Sequence, residues 1–106
     1  MGKEKVKLTR PNGGEIWESG TTETITWDTM NLPPEPVAKF RLRYTNDGGT
    51  TWKAIVTRLG NPGRYDWKVP AVLNTKKRCK IKVVLLNSLG SIIGSDMSDS
   101  RFTITP

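Results

Sequence analysis

Apolar residues in this chain alternate with polar ones in short runs, and no stretch carries the i, i+3, i+4, i+7 spacing of an amphipathic helix. A period of two buries one face of an extended strand, so the chain must fold as sheets. Val6 and Leu8 alternate with Lys5, Lys7 and Thr9, and Ile25 and Trp27 alternate with Thr24 and Thr26. The clearest strand covers 37–44, with Ala38, Phe40, Leu42 and Tyr44 on one face and Lys39, Arg41 and Arg43 on the other. A second clear strand covers 80–86, where Cys79, Ile81, Val83 and Leu85 point inward and Arg78, Lys80 and Lys82 outward. Phe102 and Ile104 end the chain in the same rhythm.

Turn chemistry separates these runs. Pro11-Asn12-Gly13-Gly14, Asn46-Asp47-Gly48-Gly49, Asn61-Pro62-Gly63 and Asn87-Ser88-Leu89-Gly90 all combine residues that accept positive φ or a fixed bend. Asn31-Leu32-Pro33-Pro34-Glu35-Pro36 is a connection, since proline cannot sit in a central strand. Residues 71–75 have room for one helical turn at most. About seven strands with turns every ten residues or so predict an all-β, immunoglobulin-like antiparallel β-sandwich, with a closed barrel as the competing topology. At 106 residues the chain is one domain, read as residues 1–106 of a module excised from a longer multidomain protein.

Composition narrows function by exclusion. There is no His, so the commonest general base and metal ligand is missing, and one Cys makes neither an internal disulfide nor a zinc site. No paired carboxylates, nucleophile arrangement or phosphate loop stands out, so the expectation is a non-enzyme without cofactor or metal. No apolar run approaches the roughly 20 residues of a membrane helix, and no leader opens the chain, so a soluble module without membrane insertion, monomeric in isolation, is expected. Asp96 and Asp99 flank a turn near the last strand, where calcium sites in sandwiches use such acids, but turn hydrogen bonding is the favoured explanation of them. Only 35% of residues are apolar, which leaves no spare aromatic side chains. The four Trp are therefore expected in the core, with Trp17 the most exposed of them.

Three segments carry a family resemblance: Pro11-Asn12-Gly13-Gly14-Glu15-Ile16-Trp17-Glu18-Ser19-Gly20 with Ile25-Thr26-Trp27, Gly63-Arg64-Tyr65-Asp66-Trp67-Lys68-Val69-Pro70, and residues 95–104. Together they resemble the Ig-like accessory domains of secreted or surface microbial proteins. They are also similar to the repeat of yeast cell-wall proteins needed for β-glucan assembly, and residues 81–105 are similar to the last two strands of fibronectin type III domains. The resemblance implies an extracellular or cell-surface location and a structural, adhesion or interaction role beside neighbouring domains of the parent chain. In immunoglobulin-type domains Cys79 would hold the second cysteine of a core disulfide, but its counterpart here is Ile25 or Trp27. Residues 45–52 are similar to the Asp-box hairpin, in which Asp47, Gly49, Thr51 and Trp52 form a structural turn rather than an active site.

Charge supplies the one candidate binding feature. The net charge is +7 and uneven: residues 1–35 carry four basic and six acidic side chains, and residues 36–106 carry thirteen basic and four acidic. In an immunoglobulin-like sandwich Lys39, Arg41 and Arg43 lie beside Arg78, Lys80 and Lys82, with Arg101 joining from the last strand. Seven cations without an acid among them would then share one sheet face. Such a face suits cell-surface polysaccharide or another acidic polymer, or it serves solubility alone. Nucleic acid is the less favoured polyanion, because the aromatics that would stack bases are expected in the core.

Overall fold

A computed structural model describes residues 6–29 and 37–106. The expected proline-rich connection at 31–36 lies outside the described residues. Among the described residues nine strands follow one another: β1 (Val6–Arg10), β2 (Ile16–Glu18), β3 (Thr22–Thr29), β4 (Lys39–Thr45), β5 (Lys53–Leu59), β6 (Arg64–Lys68), β7 (Lys76–Leu86), β8 (Ile92–Met97) and β9 (Phe102–Thr105). Residues 71–75 form bends without a helical turn. The strands form two sheets, β1-β3-β6 and β2-β9-β7-β4-β5, with β8 also paired to β7. This is an immunoglobulin-like, fibronectin-III-like β-sandwich.

Nine segments reduce to seven strand paths for a physical reason. β1 pairs with β3 in the first sheet, and the same run then crosses to the second sheet as β2. The final path is likewise interrupted, β8 pairing with the distal half of β7 and β9 with its start. The crossing also brings in a parallel ladder: β2 runs alongside β9, Trp17 opposite Ile104, whereas the remaining strand pairs are antiparallel.

Both interruptions meet at one joint. The Ser98 hydroxyl is buried, donates to the carbonyl of Pro11 (2.7 Å) and accepts the backbone N–H of Ile81 (3.1 Å). Asn12 reads the same break from the other side: its carbonyl accepts the Ser100 N–H, and its side-chain oxygen accepts the Asp99 N–H at 2.9 Å. The Glu15 carboxylate closes the crossing loop by accepting the N–H groups of Asn12 and Gly13. Gly13 is required there, since at φ 146° any Cβ would stand 2.6 Å from the Cβ of Ser100. Asp96 accepts the Leu8 N–H at 2.7 Å and ties β1 to β8. Asp96 and Asp99 thus act as strand and turn locks, with Asp99 also 3.6 Å from the ammonium of Lys7.

The core lies between the sheets. Leu8, Ile25, Phe40, Leu42, Ile81, Val83, Leu85 and Ile104 are fully or almost fully buried, as the alternation requires. Aromatic rings bridge the layers: Trp17 meets Trp67 at 6.3 Å between centroids, Trp27 meets Phe40 at 5.1 Å, and Trp67 meets Tyr44 at 5.1 Å, while Trp17 also packs on Phe102 within its own sheet. Trp17 is only 3% exposed, against the expectation that it would be the most open tryptophan. Its strand is short, but it pairs with β9, and the Arg10 guanidinium lies 5.1 Å from the ring centroid. Cys79 is a buried free thiol whose burial pushes its pKa up to about 11, as a small apolar filler requires. Val84 and Leu86, on the outward parity of β7, are buried as well, because β7 is central, with β4 on one side and β8 on the other.

Replacing Ser98 by Ala leaves the Ile81 N–H and the Pro11 carbonyl buried without their partner. The expected loss is about 1–3 kcal/mol of unfolding free energy, read as a lower urea midpoint with an unchanged far-ultraviolet spectrum.

Candidate functional site

The hairpin between β4 and β5 is built around Asp47. Its carboxylate accepts the Thr45 hydroxyl at 2.6 Å, the Thr51 N–H at 3.0 Å and the Thr51 hydroxyl. These donors hold the carboxyl well below the usual carboxylate range, the Thr45 hydroxyl most strongly. The Gly49 N–H donates to the Thr45 hydroxyl, and Gly49 itself sits at φ 102° against the Trp52 ring. Asp47, Gly49, Thr51 and Trp52, the four residues singled out in this hairpin, thus meet in one turn. The hairpin folds back onto β7: Asp47 bridges to Arg78, and the Gly48 N–H donates to the Arg78 carbonyl at 3.0 Å.

The cationic rows lie on the outer face of the second sheet, but not abreast. Residues paired across an antiparallel ladder share a face. Arg43 stands opposite Lys82, whereas Arg41 faces Val84 and Lys39 faces Leu86. Lys80 faces Thr45, one step nearer the hairpin. Arg78 follows beside Asp47, and the Arg101 guanidinium reaches to 3.7 Å from where a Cβ on Gly48 would be. β4 and β7 run in opposite directions, so their rows meet end to end and overlap only at Arg43 and Lys82.

This corrects two expectations. The two rows do not lie beside each other along their length, and an acid does stand among the cations. Asp47 is brought to Arg78 by the folded-back hairpin, which no strand alternation reveals, although its carboxylate is occupied by Thr45 and Thr51. The ion pairs found among the described residues join Lys7 to Asp99, Arg10 to Glu23 and Arg64 to Asp66. None of them involves the seven candidate cations.

Trp52 is the member that sequence reasoning assigned only to the hairpin. Three tryptophans are buried, but Trp52 is half-buried on the cationic face, with the Lys82 ammonium 5.6 Å from its ring centroid. The pairing of Lys53 with Tyr44 turns Trp52 to the side of Thr45 and Lys80. The only legible signal was the parity of a single residue beyond the turn. Elsewhere, a shallow depression of about 500 Å³ is lined by Ser19, Gly20, Lys68, Val69, Pro70 and Ala71, with one charged side chain.

No family model matches this chain, and no curated protein matches it. Among solved structures it is similar to the fibronectin(III)-like modules of Clostridium thermocellum CbhA, with a TM-score of 0.63 and 19% identity over 94% of this chain and 93% of that one. A superoxide reductase (neelaredoxin) from Ignicoccus hospitalis has the same TM-score at 10% identity, covering 95% of this chain and 80% of that one. At these identities the likeness is one of fold.

Two outcomes follow from the hairpin. Asp47 has its pKa lowered by folding, so its contribution to stability is complete above the ordinary value of 3.8 and is lost as pH falls below it. Asp47→Asn is expected to lower the melting temperature at neutral pH and to flatten its decline in acid, as measured by circular dichroism. In acrylamide quenching, the wild type should show a minor accessible class of tryptophan emission, and Trp52→Phe should remove that class and leave the blue-shifted majority.

Proposed function

We propose that this domain is a non-catalytic interaction module of an extracellular or cell-surface protein, and that its working surface is the outer face of the β2-β9-β7-β4-β5 sheet. The observation that carries this reading is the direct register of Arg43 with Lys82, flanked by further cations without ion-pair partners among the described residues. Like charges placed opposite each other on neighbouring strands are destabilising. An anionic partner relieves that repulsion, and neutralising several cations at once makes binding steeply salt-dependent. A non-catalytic role is supported by the employment of the carboxylates. Asp47, Asp96, Asp99, Glu15 and Glu23 each hold a turn, a strand end or a cation of the framework. The fibronectin(III)-like fold and its likeness to modules of CbhA support the modular part of the reading.

Elution from heparin, compared with a cation exchanger of similar charge density, tests the surface. Retention on heparin to distinctly higher salt is expected. Arg41→Glu combined with Lys82→Glu should abolish that difference while the melting temperature stays close to wild type. Equal elution from both columns would reduce the +7 charge to a bulk property and overturn the reading.

A further inference from the structure

Resting on that reading, we infer that the face is a track for a linear acidic polysaccharide lying along the strands, rather than a socket for a compact anion. The register carries the inference. Successive outward positions run Lys39, Arg41, Arg43 beside Lys82, Lys80 and then Arg78. Each step is two residues, about 6–7 Å along a strand. Four steps place cations at regular intervals over roughly 25 Å. A strand row taken alone holds three such charges over about half that length. Joining two antiparallel rows end to end yields a line that no segment of the sequence contains.

The stripe has a direction as well as a length. Near the hairpin Arg101 adds a further cation beside Arg78, the half-buried Trp52 flanks the line, and Asp47, held by Thr45 and Thr51, is the acid at that end. Toward the other end the neighbours of Lys39 are Leu59 and Leu86, and Leu59 and Ile92 are exposed. A polymer with one acidic group at each short repeat matches such a line by charge. The single partly exposed ring on this face, Trp52, separates polysaccharide from single-stranded nucleic acid. Nucleic-acid grooves stack successive bases on successive aromatic side chains. Here Trp52 is the one tryptophan that is not buried, and Tyr44 and Tyr65 pack against Trp67 and Phe40. A nucleic-acid strand would find phosphate partners but no platforms for most of its bases.

Calorimetric titration with heparin oligosaccharides of increasing length tests the track on the intact domain. Affinity is expected to climb with length and to level off once the oligosaccharide spans the stripe. Lys39→Gln with Arg41→Gln should bring the plateau to a shorter length and lower the affinity of long oligosaccharides roughly tenfold, with a shallower salt slope. Lys80→Gln with Arg78→Gln should do the same from the other end. Should the Arg78 change unsettle the hairpin, Lys80→Gln alone supplies the second arm. Arg64→Gln with Lys68→Gln, an equal charge loss on the other sheet, should leave the length profile unchanged.

A disaccharide that binds as well as the longest oligosaccharide, with the stripe variants still weakened, would overturn the track but leave the basic surface standing. Equal losses in the Arg64 and Lys68 control would overturn both. Tighter binding of oligothymidylate than of heparin of matched charge would overturn the polysaccharide in favour of single-stranded nucleic acid.

Discussion

The buried hydroxyl of Ser98 is the point from which the architecture is held. It accepts from the backbone of β7 and donates to the carbonyl of Pro11, where the first strand path leaves one sheet for the other. A strand that crosses a sandwich breaks two ladders, and the polar groups it strips must be answered locally because water is excluded there. Asn12, Glu15, Asp96 and Asp99 supply those answers around the same joint. With the crossing held, β1 caps one sheet and β2 lines the other. The core between them then has walls on every side that the short strands alone would leave open.

The same antiparallel packing that builds the core arranges the surface. The inward residues of β4 and β7 oblige their neighbours to point outward, and from Lys39 to Arg43 and from Arg78 to Lys82 those neighbours are Lys and Arg. Their placement in space follows from register, which inner packing sets: Leu42 pairs with Val83, and Tyr44 with Ile81. A shift of one residue would turn Phe40 and Leu42 out to water and the cations into the core, so the charge line is fixed by hydrophobic burial in spite of the repulsion between Arg43 and Lys82. The hairpin contributes in a similar way. Asp47 shapes the turn through hydroxyl and amide donors, and that turn sets Trp52 beside Lys82.

Much of the fold was legible in the residue order. Alternation located Phe40 and Leu42 in β4 and Ile81, Val83 and Leu85 in β7, and it gave the Lys and Arg residues between them the opposite parity, because a period of two is a local property of the backbone. Val84 and Leu86 were not legible as buried. Their cover comes from neighbouring strands distant in sequence. Trp17 was misjudged for the same reason: a three-residue strand is well protected once it finds β9 and once Arg10 lies over its ring. The parallel pairing of β2 with β9 left no trace in local pattern, since it results from a crossing that the Asn12 and Ser98 contacts make possible.

The sequence by itself determined the strand periodicity, the turn positions, the parity of each side chain and the sign of the exposed charge. All of these are set by residues within a few positions of one another. Only the tertiary structure decided how the two cationic rows meet, that Asp47 and Trp52 lie against the face they form, and that Pro11 and Ser98 close the sandwich together. Those depend on pairings between residues up to 87 positions apart, whose register is chosen by the packing of the whole core rather than by any segment of the chain.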